Sequence, residues 1–341
     1  REMNASDIPL TVGAPTVVRV NGELRKYTEL SDQVVNRTIL SILSAEQEKM
    51  LTEGKDIDFS FELKNGARQR VNVFRQSGKL AACIRLLNAE IPTLEELKMP
   101  PVLLEFAKKR RGLVLVTGPT GAGKSTTLAA LMEYINKTRA CHVITIEDPI
   151  EYRYKQEKAT IHQRELGRDV PSFHEALRSA LREDPDVILI GEMRDYETIS
   201  LAMTAAETGH LVFGTLHTSS AAQTVDRIID ACPIHSQDQV RSQLASMIQG
   251  IIAQTLIPRA DGKGRVAAVE VMIGTDAIRN LIRSAKINMM ETTMAAGARD
   301  GMCTLNASLA NLYKTGQISY ETALEYATDR GEMEKKLLSG I

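Results

Sequence analysis

One nine-residue segment, Gly118-Pro-Thr-Gly-Ala-Gly-Lys-Ser-Thr126, constrains the fold of this chain more than any other. It fits the phosphate-binding loop pattern, in which a glycine and four further residues precede Gly-Lys-Ser. An apolar run at residues 113–116 comes before the segment, and a helix-forming run at residues 127–133 follows it. A buried strand, a glycine-rich loop and a helix in this order predict a nucleotide-binding α/β domain, and the alternative is a chance glycine turn.

The predicted nucleotide-binding residues are those of the loop, where glycines let backbone N–H groups approach phosphate oxygens. Lys124 is expected to reach the β- and γ-phosphates and so to take part in catalysis, and the Ser125 hydroxyl is expected to hold Mg²⁺. The complete predicted set is Gly118, Pro119, Thr120, Gly121, Ala122, Gly123, Lys124, Ser125 and Thr126.

The composition is that of a soluble globular protein. Hydrophobic residues make up 43% of the 341 residues and charged residues 25%, which is ordinary for that class. The net charge of −1 argues against a dedicated nucleic-acid binder, no apolar run approaches the length of a membrane span, and no signal peptide is visible. The four cysteines are far apart and indicate neither a zinc site nor a disulfide framework, so we expect buried thiols in a reducing cytosol.

The chain divides into four predicted parts, which are a small α+β domain at 1–88, a linker at 89–101, a nucleotide-binding core at 102–273 and a helical region at 274–341. The first part is expected to hold an amphipathic helix over residues 31–53. Its predicted strands include residues 9–13, residues 16–22 ending in an Asn-Gly turn, and residues 57–62. In the linker, Thr93 is expected to cap a short helix over residues 94–97.

Two more strands of the first part, residues 70–74 and 80–86, flank a Ser-Gly turn dipeptide at residues 77–78. A two-residue turn there places Arg70 opposite Arg85. Like charges directly opposite each other across strands are destabilising, and an anion shared between the two side chains would remove that cost. The alternative is that both arginines are solvated or paired with nearby acids.

The core contains continuous apolar runs that read as buried strands, separated mostly by helical stretches. Continuous rather than alternating apolar strands predict a sheet that is covered on both faces. The runs lie at residues 113–116, 142–146, 187–190, 211–213 and 266–273.

Polar residues with catalytic potential follow three of these runs. Strand C-terminal ends converge on the ligand in α/β sheets, so Glu147, Asp148 and Glu192 are expected near the phosphates. Because Gly191 occupies the position where an aspartate is usual, Glu192 is predicted to be the water-activating base. Glu147 and Asp148 are predicted to reach Mg²⁺ through water, with helix capping or surface placement as the alternative. His217 also follows a strand, and it is either a γ-phosphate sensor or a structural histidine.

With these motifs in place, the sequence resembles the secretion-type hexameric ATPases of type IV pili and type II secretion. The resemblance covers essentially the whole chain. At residues 6–13 the chain is similar to the family's N-terminal strand, although Pro9 stands where a histidine is common. Four boxes of the family occur in order, at residues 118–126, 142–152, 186–195 and 208–218.

The resemblance implies a PAS-like N-terminal domain, a RecA-like ATPase core and a ring of six subunits that hydrolyses ATP with Mg²⁺. It also implies that Arg70 and Arg85 approach the nucleotide, where we expect them to take part in catalysis. Glu147 and His217 are predicted to be catalytic as well, from their positions after strands. The segment at 277–283 matches a signature of the retraction motors, and the four-cysteine zinc site of extension and secretion ATPases is missing from the sequence. Retraction of type IV pili is therefore the implied function.

The implied partners are five further copies of the chain, an inner-membrane platform protein, paralogous pilus ATPases and, indirectly, pilin. The implied location is cytoplasmic, at the inner face of the cytoplasmic membrane. The alternatives are an extension or secretion motor, an accessory nucleotide-binding subunit, and a nucleic-acid translocase. Only 4% of residues are aromatic, which offers no stacking platform for nucleic acid.

The signature at 277–283 is predicted to form a helix with two faces. Ile278, Leu281 and Ile282 make one apolar stripe, and Arg279 and Arg283 lie four residues apart on another face. We expect the stripe to face the core and the arginine pair to couple the motor to its partner, the alternative being two solvated arginines.

Overall fold

The structure is a computed structural model that describes residues 5–20, 23–63, 68–86 and 90–338. The chain forms two compact units. The N-terminal unit comprises Arg1–Ile91 with Pro149–Arg153, and the larger unit comprises Pro92–Asp148 with Tyr154–Ile341. The Asn-Gly turn predicted at residues 21–22 and the start of the predicted linker at residue 89 lie outside the described residues.

The described part of the N-terminal unit contains an antiparallel sheet of strand order β3-β2-β1-β6-β5-β4. Its strands are β1 (Ala5–Thr11), β2 (Thr16–Val20), β3 (Glu23–Thr28), β4 (Ile57–Glu62), β5 (Arg68–Gln76) and β6 (Lys79–Leu86). Two helices, α1 (Asp32–Ser41) and α2 (Ala45–Thr52), contribute Val35, Ile39 and Leu51 to its apolar core. Strand β3 was not predicted, because its residues are exposed and mostly polar.

The single helix predicted over residues 31–53 is wrong, because the chain breaks between α1 and α2. Ser44 begins the second helix with a capping box, in which its hydroxyl accepts from the Gln47 N–H and the Gln47 side chain accepts from the Ser44 N–H. A capping box satisfies N–H groups that a continuing helix would bond to its own carbonyls, so it favours a new start.

The hairpin of β5 and β6 has the predicted register. Ser77 and Gly78 both have positive φ, of 50° and 76°, as a two-residue turn between twisted strands requires. Gln76 therefore pairs with Lys79, and Arg70 lies directly opposite Arg85.

The larger unit is built around a mixed sheet of order β13-β12-β7-β11-β10-β8-β9, within the described residues. All neighbouring strands run parallel except β12 and β13. The strands are β7 (Gly112–Thr117), β8 (His142–Glu147), β9 (Thr160–Glu165), β10 (Val187–Ile190), β11 (Leu211–Leu216), β12 (Ile248–Pro258) and β13 (Arg265–Ile273).

This sheet is buried on both faces, as the continuous apolar runs predicted. Along β7, Leu113 and Leu115 pack into one apolar cluster while Val114 and Val116 pack into another on the opposite face. The α/β fold class is confirmed. Strands β9 and β12 were missed, because β9 is largely polar and two glutamines interrupt β12.

The α-helices of the larger unit lie between and after the strands. They are α3 (Leu103–Ala107), α4 (Lys124–Thr138), α5 (Phe173–Ala180), α6 (Tyr196–Glu207), α7 (Ala221–Asp230), α8 (Gln237–Met247), α9 (Asp276–Arg283), α10 (Met290–Ala296), α11 (Leu305–Lys314), α12 (Tyr320–Glu325) and α13 (Arg330–Leu338). Short 3₁₀ helices lie at Ile234–Ser236, Ile287–Met289 and Gly297–Asp300. The helix predicted at residues 94–97 is instead a turn, which Thr93 closes by hydrogen bonds with Glu96.

Among the described residues, no helix combines the length and the apolar character that a membrane crossing requires. The described cysteines are all free, but only Cys232 is fully buried and Cys83 is exposed, so the expectation of four buried thiols is wrong. Cys83 differs because it lies on the exposed side of β6.

Candidate nucleotide-binding site

The phosphate-binding loop joins β7 to α4, as predicted. Gly118, Gly121 and Gly123 have φ of 141°, 79° and 87°, which only glycine adopts without strain. A side chain on Gly118 would also collide with the backbone carbonyl of Gln254, and a Cβ on Gly123 would lie 3.0 Å from the Gln254 amide nitrogen. Both the loop conformation and the strand beneath it therefore require these glycines.

Lys124 is the first residue of α4, and its ammonium group folds back over the loop. Its Nζ donates to the carbonyl oxygens of Gly118, at 2.7 Å, and Pro119, at 3.1 Å. The helix N-terminus contributes backbone N–H groups and partial positive charge at the same place. Ser125 follows Lys124 and is exposed. The arrangement is that of an anion site with the Lys124 ammonium group beside it.

Gln254 of β12 is a site residue that the sequence analysis missed. Its side chain is buried and bridges the middle of the loop and the first turn of α4. Its Nε2 donates to the Ala122 carbonyl at 2.6 Å, and its Oε1 accepts from the Thr127 hydroxyl at 2.8 Å. A signal was present, because an apolar run of four residues precedes it at 250–253 and predicts a strand whose last residues lie near the loop.

The acidic residues lie at the same sheet edge as the loop, because β7, β8, β10 and β11 are parallel neighbours. Glu147 ends β8 and accepts hydrogen bonds from the Thr145 hydroxyl, at 2.6 Å, and from the Gln163 amide, at 3.2 Å. Asp148 follows it. These two hydrogen bonds orient the Glu147 carboxylate at the strand end.

Gly191 at the end of β10 explains why no aspartate stands there. A Cβ on Gly191 would lie 3.0 Å from the Ile146 carbonyl oxygen and 3.2 Å from the Glu147 Cα. Both contacts are with the backbone of β8, which cannot move aside easily in a buried sheet. The acidic side chain is therefore displaced by one residue, to Glu192.

Glu192 makes direct contact with the side chains of Arg194 and His217. Arg194 donates from Nε and Nη2 to the two Glu192 carboxylate oxygens, at 2.6 and 2.7 Å, and His217 donates from Nε2 to Oε1 at 2.9 Å. Burial acts to raise the pKa of Glu192, but Arg194 and His217 outweigh it and hold that pKa below its usual value. The carboxylate is therefore ionised at neutral pH. Of the predicted catalytic residues, the structure brings Glu192 and His217 together.

Arg70 and Arg85 lie in the N-terminal unit, and each has an acidic partner on a neighbouring strand. Arg70 pairs with Asp58 at 2.8 Å, and Arg85 pairs with Asp7 at 2.9 Å. These acids relieve the repulsion between the two arginines. The repulsion therefore gives no reason to expect a shared anion. The two arginines are paired with nearby acids, which was the alternative.

The residues of the loop fit a nucleoside triphosphate, since a Cβ at Gly121 would meet nothing within 4 Å and the Lys124 ammonium group lies at the same loop. No cluster of three or more His, Cys, Asp or Glu side chains that could hold a metal occurs in the part of the chain that the structure describes. Mg²⁺ at nucleotide sites is bound by one or two protein groups together with phosphates. Ser125, Glu147 and Asp148 are donors of the kind such a site uses.

Comparison with known proteins gives consistent results. The family model for type II/IV secretion system proteins matches residues 4–334. The chain is 50% identical over 328 residues to the type IV pilus retractation ATPase PilT of Pseudomonas aeruginosa, covering 96% of this chain and 95% of that one. It is 48% identical to a twitching motility protein of Neisseria gonorrhoeae, covering 93% and 85%. A crystal structure of the pilus retraction motor PilT and bound ADP superposes with a TM-score of 0.90 at 48% identity, covering 98% and 96%.

Proposed function

The chain belongs to the type II/IV secretion system protein family, and we propose that it is an ATP-hydrolysing motor that powers retraction of type IV pili. The observation that carries the ATPase assignment is the phosphate-binding loop at the same sheet edge as the ionised carboxylate of Glu192. The narrower assignment to retraction rests on the likeness, over nearly the full length of both chains, to a pilus retraction motor.

In the proposed reaction, the loop N–H groups and Lys124 hold the β- and γ-phosphates, which requires Lys124 to leave the Gly118 and Pro119 carbonyls. Ser125, Glu147 and Asp148 would hold Mg²⁺, which supplies positive charge against the phosphate oxygens. Glu192 orients the attacking water and accepts its proton. His217, bonded to Glu192, would report the state of the γ-phosphate to that carboxylate.

Arg70 and Arg85 are proposed to contact the nucleotide phosphates. Their ion pairs are partly exposed, and pairs of this kind contribute about 0–1 kcal/mol. Exchanging Asp58 or Asp7 for a triphosphate therefore costs little. An arginine at the γ-phosphate accelerates hydrolysis by roughly 10³-fold or more in well-studied triphosphatases.

The proposed assembly is a homohexamer at the inner face of the cytoplasmic membrane. It would act on an inner-membrane platform protein, alone or beside paralogous pilus ATPases, and withdraw pilin from the fibre indirectly. The four-part division at 1–88, 89–101, 102–273 and 274–341 remains our proposal for its domains, with a PAS-like first part and a RecA-like core.

The test is ATP turnover by the purified protein with Mg²⁺, combined with a retraction assay in cells that lack the gene. We expect turnover in the wild type, none in Lys124→Ala with weaker nucleotide binding, and turnover at least ~100-fold slower in Glu192→Gln with binding retained. Comparable turnover in the glutamine variant would move the catalytic role to Glu147 or Asp148.

Each rival function has its own outcome in the same experiments. A wild-type protein that binds ATP but does not hydrolyse it would be an accessory subunit. Stimulation of turnover by DNA or RNA would indicate a translocase. Loss of pilus assembly in cells without the gene, rather than pili that assemble but fail to retract, would indicate an extension motor.

A further inference from the structure

Thr215 of β11 makes a side-chain contact with the segment that carries Glu192. Its hydroxyl is buried and donates to the Gly191 carbonyl oxygen at 2.5 Å. In the other direction, the Met193 backbone N–H donates to the Thr215 carbonyl oxygen at 3.0 Å. Thr215 therefore bonds the residue before Glu192 and the residue after it.

The backbone of Gly191 is hydrogen-bonded to two neighbouring strands. Its N–H donates to the Ile146 carbonyl of β8 at 2.7 Å, while its carbonyl accepts from Thr215 of β11. Since a Cβ at this position would press on the β8 backbone, the segment lies as close to β8 as a backbone can. The Cα of Glu192 is consequently fixed between the two strands that flank β10.

The Glu192 side chain is fixed from the same strand. His217, which donates to its carboxylate, lies two residues after Thr215. Residues two apart on an extended chain point to the same side. Thr215 and His217 thus act on one target, the first through the backbone and the second through the carboxylate.

We propose that Thr215 is a positioning residue for Glu192, setting where the carboxylate stands relative to the γ-phosphate and its attacking water. This rests on the proposed ATPase function. Without the hydroxyl, the Gly191 carbonyl loses its partner and the peptide that leads into Glu192 is free to rotate. A displacement of about 1 Å in a catalytic group costs on the order of 100-fold in rate.

The chain offers a matched control in Thr198 of α6. It is also fully buried, but its hydroxyl has no hydrogen-bond partner in the part of the chain that the structure describes. Thr198→Val and Thr215→Val remove the same atom and keep the same volume. Only the second substitution breaks a contact with the catalytic segment.

The experiment measures kcat, KM for ATP and affinity for a fluorescent ATP analogue on full-length variants. We expect Thr215→Val to lower kcat by about 10- to 100-fold with nucleotide affinity nearly unchanged. Thr215→Ser, which keeps the hydroxyl, should restore most of kcat, and Thr198→Val should match the wild type. Equal activity of Thr215→Val and Thr198→Val would overturn the proposal, as would a loss that serine does not restore.

A double variant distinguishes positioning from a general structural role. If Thr215 acts through Glu192, adding Thr215→Val to Glu192→Gln should lower kcat no further, since residues that act as a unit are not additive. Independent, multiplying losses would overturn the proposal. Wild-type protein without ATPase activity would instead refute the proposed function itself, so the two failures are distinct.

Discussion

Replacing Gln254 by leucine should destabilise the larger unit and loosen the phosphate-binding loop. The substitution keeps the approximate volume but leaves the Ala122 carbonyl and the Thr127 hydroxyl, which Gln254 now bonds at 2.6 and 2.8 Å, without partners. Each buried polar group left unpaired costs about 1–3 kcal/mol. Leucine burial recovers part of that, so we expect a loss of about 2–4 kcal/mol in the free energy of unfolding.

The effect on ligand binding follows from the same contacts. Without the bridge, nucleotide must order a loop that Gln254 now holds in place, and ordering one residue costs about 1–2 kcal/mol. Since 1.4 kcal/mol corresponds to a factor of about ten, the dissociation constant for ATP should rise by about 5- to 30-fold.

Urea denaturation followed by circular dichroism measures the stability, because the chain contains no tryptophan. The control is Thr127→Val, which removes one of the two groups that Gln254→Leu leaves without a hydrogen-bond partner. Gln254→Leu combined with Thr127→Val should be less destabilised than the sum of the single variants. A Gln254→Leu protein with wild-type stability and ATP affinity would refute the idea that this side chain supports the loop.

Three further predictions concern charged residues. Arg70→Ala or Arg85→Ala should reduce ATP turnover by roughly 10³-fold and shift the unfolding free energy by less than about 1 kcal/mol. If stability and turnover fell together, these arginines would be structural. Arg283→Ala should retain ATPase activity and hexamers but lose twitching motility. Arg279→Ala should in addition lose about 1 kcal/mol of stability, because the Arg279 guanidinium donates to a backbone carbonyl. A loss of ATP turnover in Arg283→Ala would contradict the coupling role. Burial raises the pKa of Glu270 above 4.5, so its stabilising contribution is present below that value and is lost as pH rises through the raised pKa. Glu270→Gln cannot ionise, and its urea midpoint should fall less than the wild type's between about pH 4 and pH 8; parallel midpoints would contradict the assignment.

The two faces of the helix at 276–283 were predicted correctly, but the different surroundings of its two arginines were not. Its apolar stripe is buried as expected, with Ile278 and Ile282 inaccessible to solvent. Its two arginines are not equivalent, because Arg279 donates to the Ile248 carbonyl at 3.2 Å while Arg283 is exposed. Helical periodicity gives the faces of a helix, but it does not reveal which neighbouring carbonyl a long side chain reaches.

Local signals predicted local structure well. The Ser77-Gly78 dipeptide alone was enough to pair Arg70 with Arg85 correctly. By contrast, the acids that neutralise those arginines come from other strands, and no local pattern in the sequence names them. The break between α1 and α2 had a local signal in Ser44 and Gln47, but the apolar periodicity across it indicated a continuous helix.

The sequence could predict the candidate site only as a set of residues at strand C-terminal ends. Because the C-terminal ends of parallel strands meet at one edge of a sheet, Glu192 and His217 were expected at the same edge. The pairing of β10 with β11 then brings the two side chains into contact. Gln254 could be placed on a strand from the apolar run before it, but its two contacts could not be predicted, because they depend on pairing between distant segments.

The sequence separation between Gln254 and the phosphate-binding loop has a consequence for how the chain folds. Gln254 is 132 residues beyond the loop carbonyl that it bonds, and β7 finds its neighbours only in β11 and β12. Parallel pairings of such separation form slowly, since the entropy of closing the intervening chain is lost before the contacts are gained. During synthesis from the N-terminus, the loop and its first strand therefore leave the ribosome long before the strand that completes them. Until β12 is made, one edge of β7 lacks its partner strand, and this is an interval in which a nascent chain is open to aggregation and to chaperones.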